Sequence, residues 1–158
     1  MTPRFAGGVA AFTAFGLDQL SKLWMLEWLV ERGSVVVLPF FNFSLGYNTG
    51  VSFSLFAGNG EGTRWALTGI AILAAIFFSV MAFKTRLWLE AVGYGLMVGG
   101  SLGNALDRIR IGAVVDFLDI HGWGWHWPTF NLADSFLFLG VALLLLASAK
   151  GRKPEPAR

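Results

Sequence analysis

Two carboxylates beside apolar stretches are the residues of this sequence best suited to chemistry. Asp116 lies in V-V-D-F-L, and Asp134 lies in N-L-A-D ahead of an uncharged run of 15 residues, 135–149. Two carboxylates held close in a partly desolvated site cannot both ionise easily, so they share a proton. One then acts as a base toward water while the other acts as an acid toward a carbonyl. The pair suits hydrolysis, but residue types alone do not bring Asp116 and Asp134 together.

Asp134 also has a structural interpretation. Asn131 stands three residues before it, ahead of a long apolar run, which resembles a capping box at a helix start. A carboxylate in the first turn is also favoured by the helix dipole. The residues by themselves therefore leave helix capping and catalysis both open for Asp134.

Asp18 and Lys22 form a second candidate pair. They are four residues apart with the acid first, the favourable order for an ion pair on a helix. One interpretation is mutual neutralisation, with the lysine reaching toward the membrane surface at the outer end of the first helix. The other is that Lys22 binds an anionic lipid or substrate group.

Asn104, Asp107 and Arg108 follow a glycine-rich stretch. Its glycines include spacings of four residues, which allow close approach between membrane helices, within one chain or between chains. A nucleotide-binding loop is excluded, because no strand precedes the stretch and no G-x-G-x-x-G occurs. Asp107 and Arg108 are adjacent, so they do not face each other on a helix. Each is expected to brace another element.

Other catalytic chemistries have weaker support. There is no cysteine, which removes thiolate nucleophiles, thiolate zinc sites and disulfides. His121 and His126 lack a third ligand of suitable spacing, so we expect no metal and no cofactor. A serine–lysine dyad of Lys22 with Ser52 or Ser54 ranks below the aspartates, because it requires a lysine free of Asp18.

The elements that must position these residues are membrane helices. Hydrophobic residues make up 55% of the 158 residues and charged residues only 14%, against about 25% charged in soluble domains. Residues 65–83 carry no charge and are long enough to cross the roughly 30 Å hydrocarbon core. The pattern predicts one domain over residues 1–150 and a disordered cytoplasmic tail over 151–158. Its transmembrane helices are predicted at about 5–30, 65–83, 87–106 and 131–149.

The basic residues predict orientation and exclude nucleic acid as a partner, because they lie at segment ends and in the tail. With both termini cytoplasmic, seven lysines and arginines lie inside and four outside, as the positive-inside rule favours. Residues 34–56 then face outward, and their Val/Phe alternation with Gly and Asn indicates short strands. Residues 107–130 form an outer loop whose alternating tryptophans suit the membrane interface.

Five blocks of the sequence resemble the lipoprotein signal peptidase family, the type II bacterial signal peptidases. They follow the family's order and cover nearly the whole chain outside the termini. The blocks are D-Q-L-S-K (18–22), Y-N-T-G-V-S-F-S (47–54), G-G-S-L-G-N-A-L-D-R (99–108), G-A-V-V-D-F (112–117) and F-N-L-A-D-S (130–135).

The resemblance implies a fold and an activity. The fold is four transmembrane helices with a small extracytoplasmic β-sheet, or cradle, and a mobile outer loop with a short helix. The activity is that of an aspartic endopeptidase of the bacterial inner membrane that works near its outer face. It cuts diacylglyceryl-modified prolipoproteins before the lipidated cysteine. Inhibition by globomycin-type cyclic lipopeptides and a monomeric state are further expectations.

The resemblance also assigns residues. Asp116 and Asp134 are the implied catalytic dyad. Substrate-binding or site-supporting positions are Asp18, Lys22, Asn48, Gly50, Asn104, Arg108 and Asn131, while Asp107 falls on a structural position. The sequence departs from the family at Val51 and Ser52, where Ala-Ala is common. That departure bears on substrate preference and not on the chemistry. The rival functions are a proton-relay transporter subunit and a non-catalytic lipoprotein chaperone.

Overall fold

The protein is described by a computed structural model that covers residues 1–50 and 60–151. It is mostly helical, with a small antiparallel sheet. The elements in chain order are α1 (Pro3–Arg32), β1 (Val35–Leu38), β2 (Phe41–Asn48), α2 (Gly60–Lys84), α3 (Trp88–Ile111), β3 (Val114–Gly122), β4 (Trp125–His126) and α4 (Leu132–Gly151).

The helix ends follow local capping rules. At the start of α1, the Thr2 side chain accepts a hydrogen bond from the Phe5 backbone N–H, and a proline occupies the first turn. At its end, α3 stops at Gly112, which has φ +79° and donates its backbone N–H to the Arg108 carbonyl. The prediction that this helix ends at residue 106 was wrong, because charged residues end the apolar run without ending the helical hydrogen bonding.

Helix α3 lies at the centre and packs against α1, α2 and α4. Its glycines permit the contacts. A Cβ at Gly95 would collide with the Gly7 carbonyl of α1, and one at Gly100 would collide with the Ala133 carbonyl of α4. The predicted close-approach face of α3 is therefore confirmed, and it packs within the chain.

Two helices in the described part of the chain, α2 and α4, are long and apolar enough to cross a membrane. Both present exposed apolar side chains, including Leu73 and Phe77 on α2 and Phe138 and Leu145 on α4. Helices α1 and α3 are also longer than a bilayer core requires, but they carry more polar residues, because they hold the buried network described below.

The sheet has the order β1-β2-β3-β4, with antiparallel neighbours. Strand β3 pairs with β2 so that Gly46 lies opposite Asp116 and Asn48 lies opposite Val114. Phe117 of β3 packs with Met25 and Leu29 of α1 in a buried apolar cluster. This cluster fixes the sheet against the end of α1.

The outer segments confirm the predicted sheet and correct its details. Strands occupy residues 35–38 and 41–48 of the predicted region 34–56, and residues 51–56 lie outside the described residues, as does the tail 152–158. The predicted outer loop 107–130 begins as the last turn of α3 and continues as β3 and β4. Between residues 112 and 131, all of which are described, there is no helix, because the apolar run V-V-D-F-L pairs with β2. The expected short helix is therefore absent from that loop.

Candidate active site

Asp116 lies in the middle of β3 with only 2% of its surface exposed. Burial, reinforced by the nearby negative charge of Asp134, raises the pKa of Asp116 to about 7. Hydrogen bonds from Asn48 and Asn131 and the charge of Lys22 partly oppose this rise in pKa. A carboxyl group with such a pKa is protonated in a large fraction of molecules at neutral pH.

Asp134 lies in the first turn of α4 and is half-buried. Its backbone N–H donates to Asn131 Oδ1 at 3.0 Å, and the Asn131 backbone N–H donates to Asp134 Oδ2 at 3.4 Å. These reciprocal bonds form the predicted capping box. The cap uses only the Oδ2 atom of Asp134, and Oδ1 accepts a hydrogen bond from Asn104. Asp134 can therefore cap the helix and also take part in the site.

Two asparagine side chains connect the two carboxylates. Asn131 Nδ2 donates to Asp116 Oδ1 at 2.6 Å and lies 3.2 Å from Asn104 Oδ1. Asn104 Nδ2 in turn donates to Asp134 Oδ1 at 2.9 Å. Asn131 is fully buried and Asn104 nearly so. The structure therefore brings Asp116 and Asp134 into one hydrogen-bonded cluster, which the residue types alone did not establish.

Lys22 is a buried member of the same cluster, with 2% of its surface exposed. Its ammonium group contacts Asp18 Oδ2 at 2.8 Å, Asp107 Oδ2 at 2.9 Å and Asn104 Oδ1 at 3.0 Å. These three acceptors match the three donors of an ammonium group. The expected ion pair with Asp18 is confirmed, but the ammonium group does not reach the membrane surface, because two buried carboxylates hold it inside. It braces the site and is not free for an anionic lipid.

Asp18 joins α1 to α4. It is fully buried, and its Oδ1 accepts the Ala133 backbone N–H at 2.9 Å. Gln19 reinforces the bracing by donating from Nε2 to Asp18 Oδ2 and to Asp107 Oδ1, both at 3.1 Å. Sequence reasoning missed Gln19, although it stands inside the block D-Q-L-S-K. Its polar amide among apolar helix residues was the available signal.

Asn48 and Gly50 shape the opposite side of Asp116. Asn48 Oδ1 accepts the Gly50 backbone N–H at 2.9 Å. Gly50 has φ +82°, a conformation that side chains other than glycine rarely adopt. This local turn orients Asn48, which also hydrogen-bonds to Asp116. Both predicted supporting positions therefore contact the site or shape a residue that does.

Arg108 supplies positive charge near Asp116 and Asp134. Its guanidinium interacts electrostatically with Asp134, Asp116 and Asp107, and its Nη1 donates to the Asn104 carbonyl at 3.5 Å. The buried Nε atom has no hydrogen-bond partner among the described residues. Arg64, which sequence reasoning also missed, holds the backbone here by donating to the Arg108 and Ile109 carbonyls, each at 2.7 Å.

The two carboxylates line different cavities. Asp134 lines an apolar cavity of about 550 Å³ whose walls include Trp125, Trp127 and Phe138. Asp116 lines a cleft of about 290 Å³ together with Tyr47, Asn48 and Thr49.

His121 and His126 lie outside this cluster. Their rings stack across β3 and β4 with centroids 4.9 Å apart, and His126 Nδ1 lies 2.8 Å from Asp119 Oδ1. In the described part of the chain, no group of three or more histidine or acidic residues is arranged to hold a metal ion. The two histidine rings stack on each other, and His126 pairs with Asp119.

Comparison with known proteins gives one consistent result. Residues 10–150 match the family model described as signal peptidase (SPase) II. The lipoprotein signal peptidase of Beijerinckia indica is 40% identical over 148 residues, which cover 92% of this chain and 89% of that protein. The lipoprotein signal peptidase of Rhodopseudomonas palustris is 39% identical over 157 residues, which cover 96% of each chain.

Two solved structures, both described as a bacterial membrane enzyme determined by the in meso method, have similar folds. One has a TM-score of 0.74 and 27% identity, covering 96% of this chain and 94% of the other. The second has a TM-score of 0.69 and 29% identity, covering 90% of this chain and 91% of the other.

Proposed function

The chain belongs to the signal peptidase II family, and on that premise we propose that it is an intramembrane aspartic endopeptidase. It removes signal peptides from diacylglyceryl-modified prolipoproteins by cutting before the lipidated cysteine. The observation that carries this proposal is the buried amide linkage of Asp116 to Asp134 through Asn131 and Asn104. Simple helix capping does not require a second carboxyl group in the same cluster.

The proposed reaction uses the raised pKa of Asp116. At neutral pH this carboxyl group carries a proton in a large fraction of molecules, so it donates that proton to the scissile carbonyl oxygen. Asp134 accepts a proton from the attacking water, whose oxygen forms a bond with the carbonyl carbon. The tetrahedral intermediate then loses its C–N bond. Asp134 returns its proton to the leaving amine, and Asp116 recovers its proton from a hydroxyl group of the intermediate.

The asparagines prepare this geometry before substrate arrives. Asn131 holds Asp116 Oδ1, and Asn104 holds Asp134 Oδ1 while the helix cap holds Oδ2. Fixed partners of this kind reduce the reorganisation needed in the transition state. When the two carboxyl groups share one proton, the dyad carries one negative charge. The positive charge of Arg108, close to both carboxylates, stabilises that state.

We propose that all four long helices span the bacterial inner membrane as one domain over residues 1–150, with both termini cytoplasmic. Arg4 Nε donates to the Phe83 carbonyl, so the start of α1 and the end of α2 lie at the same end of the bundle. The dyad lies at the other end, where α3 stops and α4 starts. With the termini inside, the dyad faces the outer leaflet, and the lipid chains of the substrate approach sideways from the bilayer.

A gel-shift assay on a diacylglyceryl-modified prolipoprotein tests the assignment. We expect Asp116→Asn and Asp134→Asn to abolish cleavage, and a globomycin-type cyclic lipopeptide to inhibit the wild type. Asp119→Asn is the matched control, since Asp119 is buried on the same strand but pairs with His126 and Asn42 instead of the dyad. Cleavage at the wild-type rate by either dyad variant would refute the assignment. A protein that holds substrate without shortening it would instead be a chaperone.

A further inference from the structure

The turn between β3 and β4 has an unusual residue at its tip. The register pairs Gly122 with Trp125, which leaves a two-residue loop of Trp123 and Gly124. Both loop residues have positive φ, +51° and +80°, as a type I′ turn requires. Asn-Gly and Asp-Gly are the usual choices, whereas a bulky side chain at positive φ is strained. Among the described residues, Trp123 is the only non-glycine residue in this region of φ.

Nothing in the described part of the chain compensates for this strain. The Trp123 side chain is fully exposed, and Trp125 and Trp127 are more than half exposed. Three large indole groups in water are unfavourable, because each leaves apolar surface unburied. We call residues 122–127 the tryptophan hairpin.

The tryptophan hairpin lies alongside the first turns of α4. Trp125 and Trp127 share one cavity wall with Phe138 of α4. Phe138 is six residues after Leu132, or about 9 Å along the helix axis. It is largely exposed, on a helix apolar enough to cross a membrane. Trp125 and Trp127 therefore lie beside the exposed apolar surface of the first turns of α4.

We propose that the tryptophan hairpin inserts its tip into the interfacial layer of the outer leaflet, with phospholipid as the partner. Indole rings favour this layer, where their apolar body and polar N–H are both accommodated. The apolar surface of α4 continues directly into the hairpin, so one bilayer surface covers both. Insertion buries the Trp123 ring and anchors the wall of the cavity beside Asp134. The inference rests on membrane embedding and is independent of the proposed cleavage reaction.

Site-directed fluorescence tests the depth of the tip. Because the chain has no cysteine, Trp123→Cys carries a single nitrobenzoxadiazole label. The matched labels are at Ser34→Cys, an exposed position between α1 and β1, and Leu145→Cys, an exposed apolar position within α4. The proteins are studied in nanodiscs of phosphatidylethanolamine and phosphatidylglycerol. Iodide quenches from water, and nitroxide-labelled lipid quenches from the bilayer.

We expect iodide to quench the label at residue 123 at least about threefold less than the label at residue 34, since interfacial lipid shields it. Lipid with a nitroxide at its headgroup should quench the label at residue 123 more strongly than the label at residue 145, which lies about 20 Å along α4 from Leu132. Equal iodide quenching at residues 123 and 34 would overturn the proposal. Shielding that arises only after lipid-modified substrate is added would also overturn it, because the partner would then be the substrate's acyl chains.

Trp123→Asn gives an independent measurement. Asparagine tolerates positive φ better than tryptophan does, so this variant should raise the Tm in detergent. In nanodiscs the gain in Tm should be smaller or reversed, since the variant also loses the lipid contact of the ring. An equal gain in both settings would contradict the proposed insertion.

Discussion

The Asn131 side chain donates a 2.6 Å hydrogen bond to Asp116 Oδ1, while its own backbone N–H and Oδ1 bond to Asp134. One residue thus caps α4 and joins the helix to the sheet. The capping box fixes the backbone of Asn131, and the backbone fixes the direction of its amide. The capping of α4 and the linkage of the two carboxylates therefore depend on the same residue.

Replacing Asn131 should separate these carboxylates. We expect Asn131→Ala to lower kcat by about 100-fold or more, the size of effect seen when a preorganised hydrogen-bond donor is removed. Initial rates on lipid-modified prolipoprotein measure this. Asn42→Ala is the matched control, because it removes another buried amide that bonds to Asp119 and not to the dyad. A loss of kcat in Asn42→Ala as large as that in Asn131→Ala would contradict a specific role for Asn131.

The raised pKa of Asp116 predicts how stability and rate depend on pH. Between the ordinary value of 3.8 and about 7, the folded protein holds a proton that the unfolded chain has released. Stability therefore falls as pH rises through this window. Asp116→Asn, which stays neutral, should raise Tm relative to wild type more at pH 8 than at pH 5. The wild-type cleavage rate should fall above about pH 7, as the proposed acid loses its proton. Thermal melts and rates across pH 5–9 check both expectations, and a pH-independent difference in Tm would count against a raised pKa.

Lys22 should be important for stability. Its removal leaves Asp18 and Asp107 buried without their shared cation, a kind of loss that costs about 3–5 kcal/mol. We expect Lys22→Met to lower the free energy of unfolding in detergent by roughly that amount. Lys84→Met is the control, since Lys84 is exposed at the far end of α2.

A second substitution tests the cause of that loss. Adding Asp18→Asn to Lys22→Met removes one of the two uncompensated charges, so part of the lost stability should return. If the double variant is no more stable than Lys22→Met alone, charge compensation is not what Lys22 supplies.

Gly100 should tolerate no side chain. A Cβ there would lie 2.5 Å from the Ala133 carbonyl, next to Asp134. Gly100→Ala should push α4 from α3 and lower both Tm and kcat, with a cost of about 1–3 kcal/mol typical of overpacking. Gly69→Ala on α2 is the control, because a Cβ there meets nothing within 4 Å. It should be neutral or slightly stabilising, since alanine favours helix more than glycine does. Similar melting curves for both variants would show that α3 and α4 are not closely packed at Gly100.

Part of this architecture is readable from local sequence. The 19 uncharged residues of 65–83 predicted α2, which begins five residues earlier and ends one residue later. The capping box N-L-A-D predicted the start of α4 to within one residue. The end of α3 was not readable in this way. The sequence predicts a loop at the charged residues Asp107, Arg108 and Arg110. In the structure Asp107 forms an ion pair with Lys22 of α1, and the charged turn is helical.

What the sequence by itself determined is the membrane class, the main helices, the capping of Asp134 and the ordered blocks of the family. Composition sets the free energy of moving a segment from water into the bilayer, so it decides the membrane class. Spacings of a few residues set local backbone geometry, so they decide helices and caps. Only the tertiary structure decided that Asp116 and Asp134 share one hydrogen-bonded cluster, that Lys22 is buried, and that Gln19 and Arg64 support the site. The contacts of this cluster join residues as far apart in sequence as 15 positions, from Asn131 to Asp116, and 115 positions, from Asp18 to Ala133. Their existence depends on how helices and sheet pack and not on any local pattern.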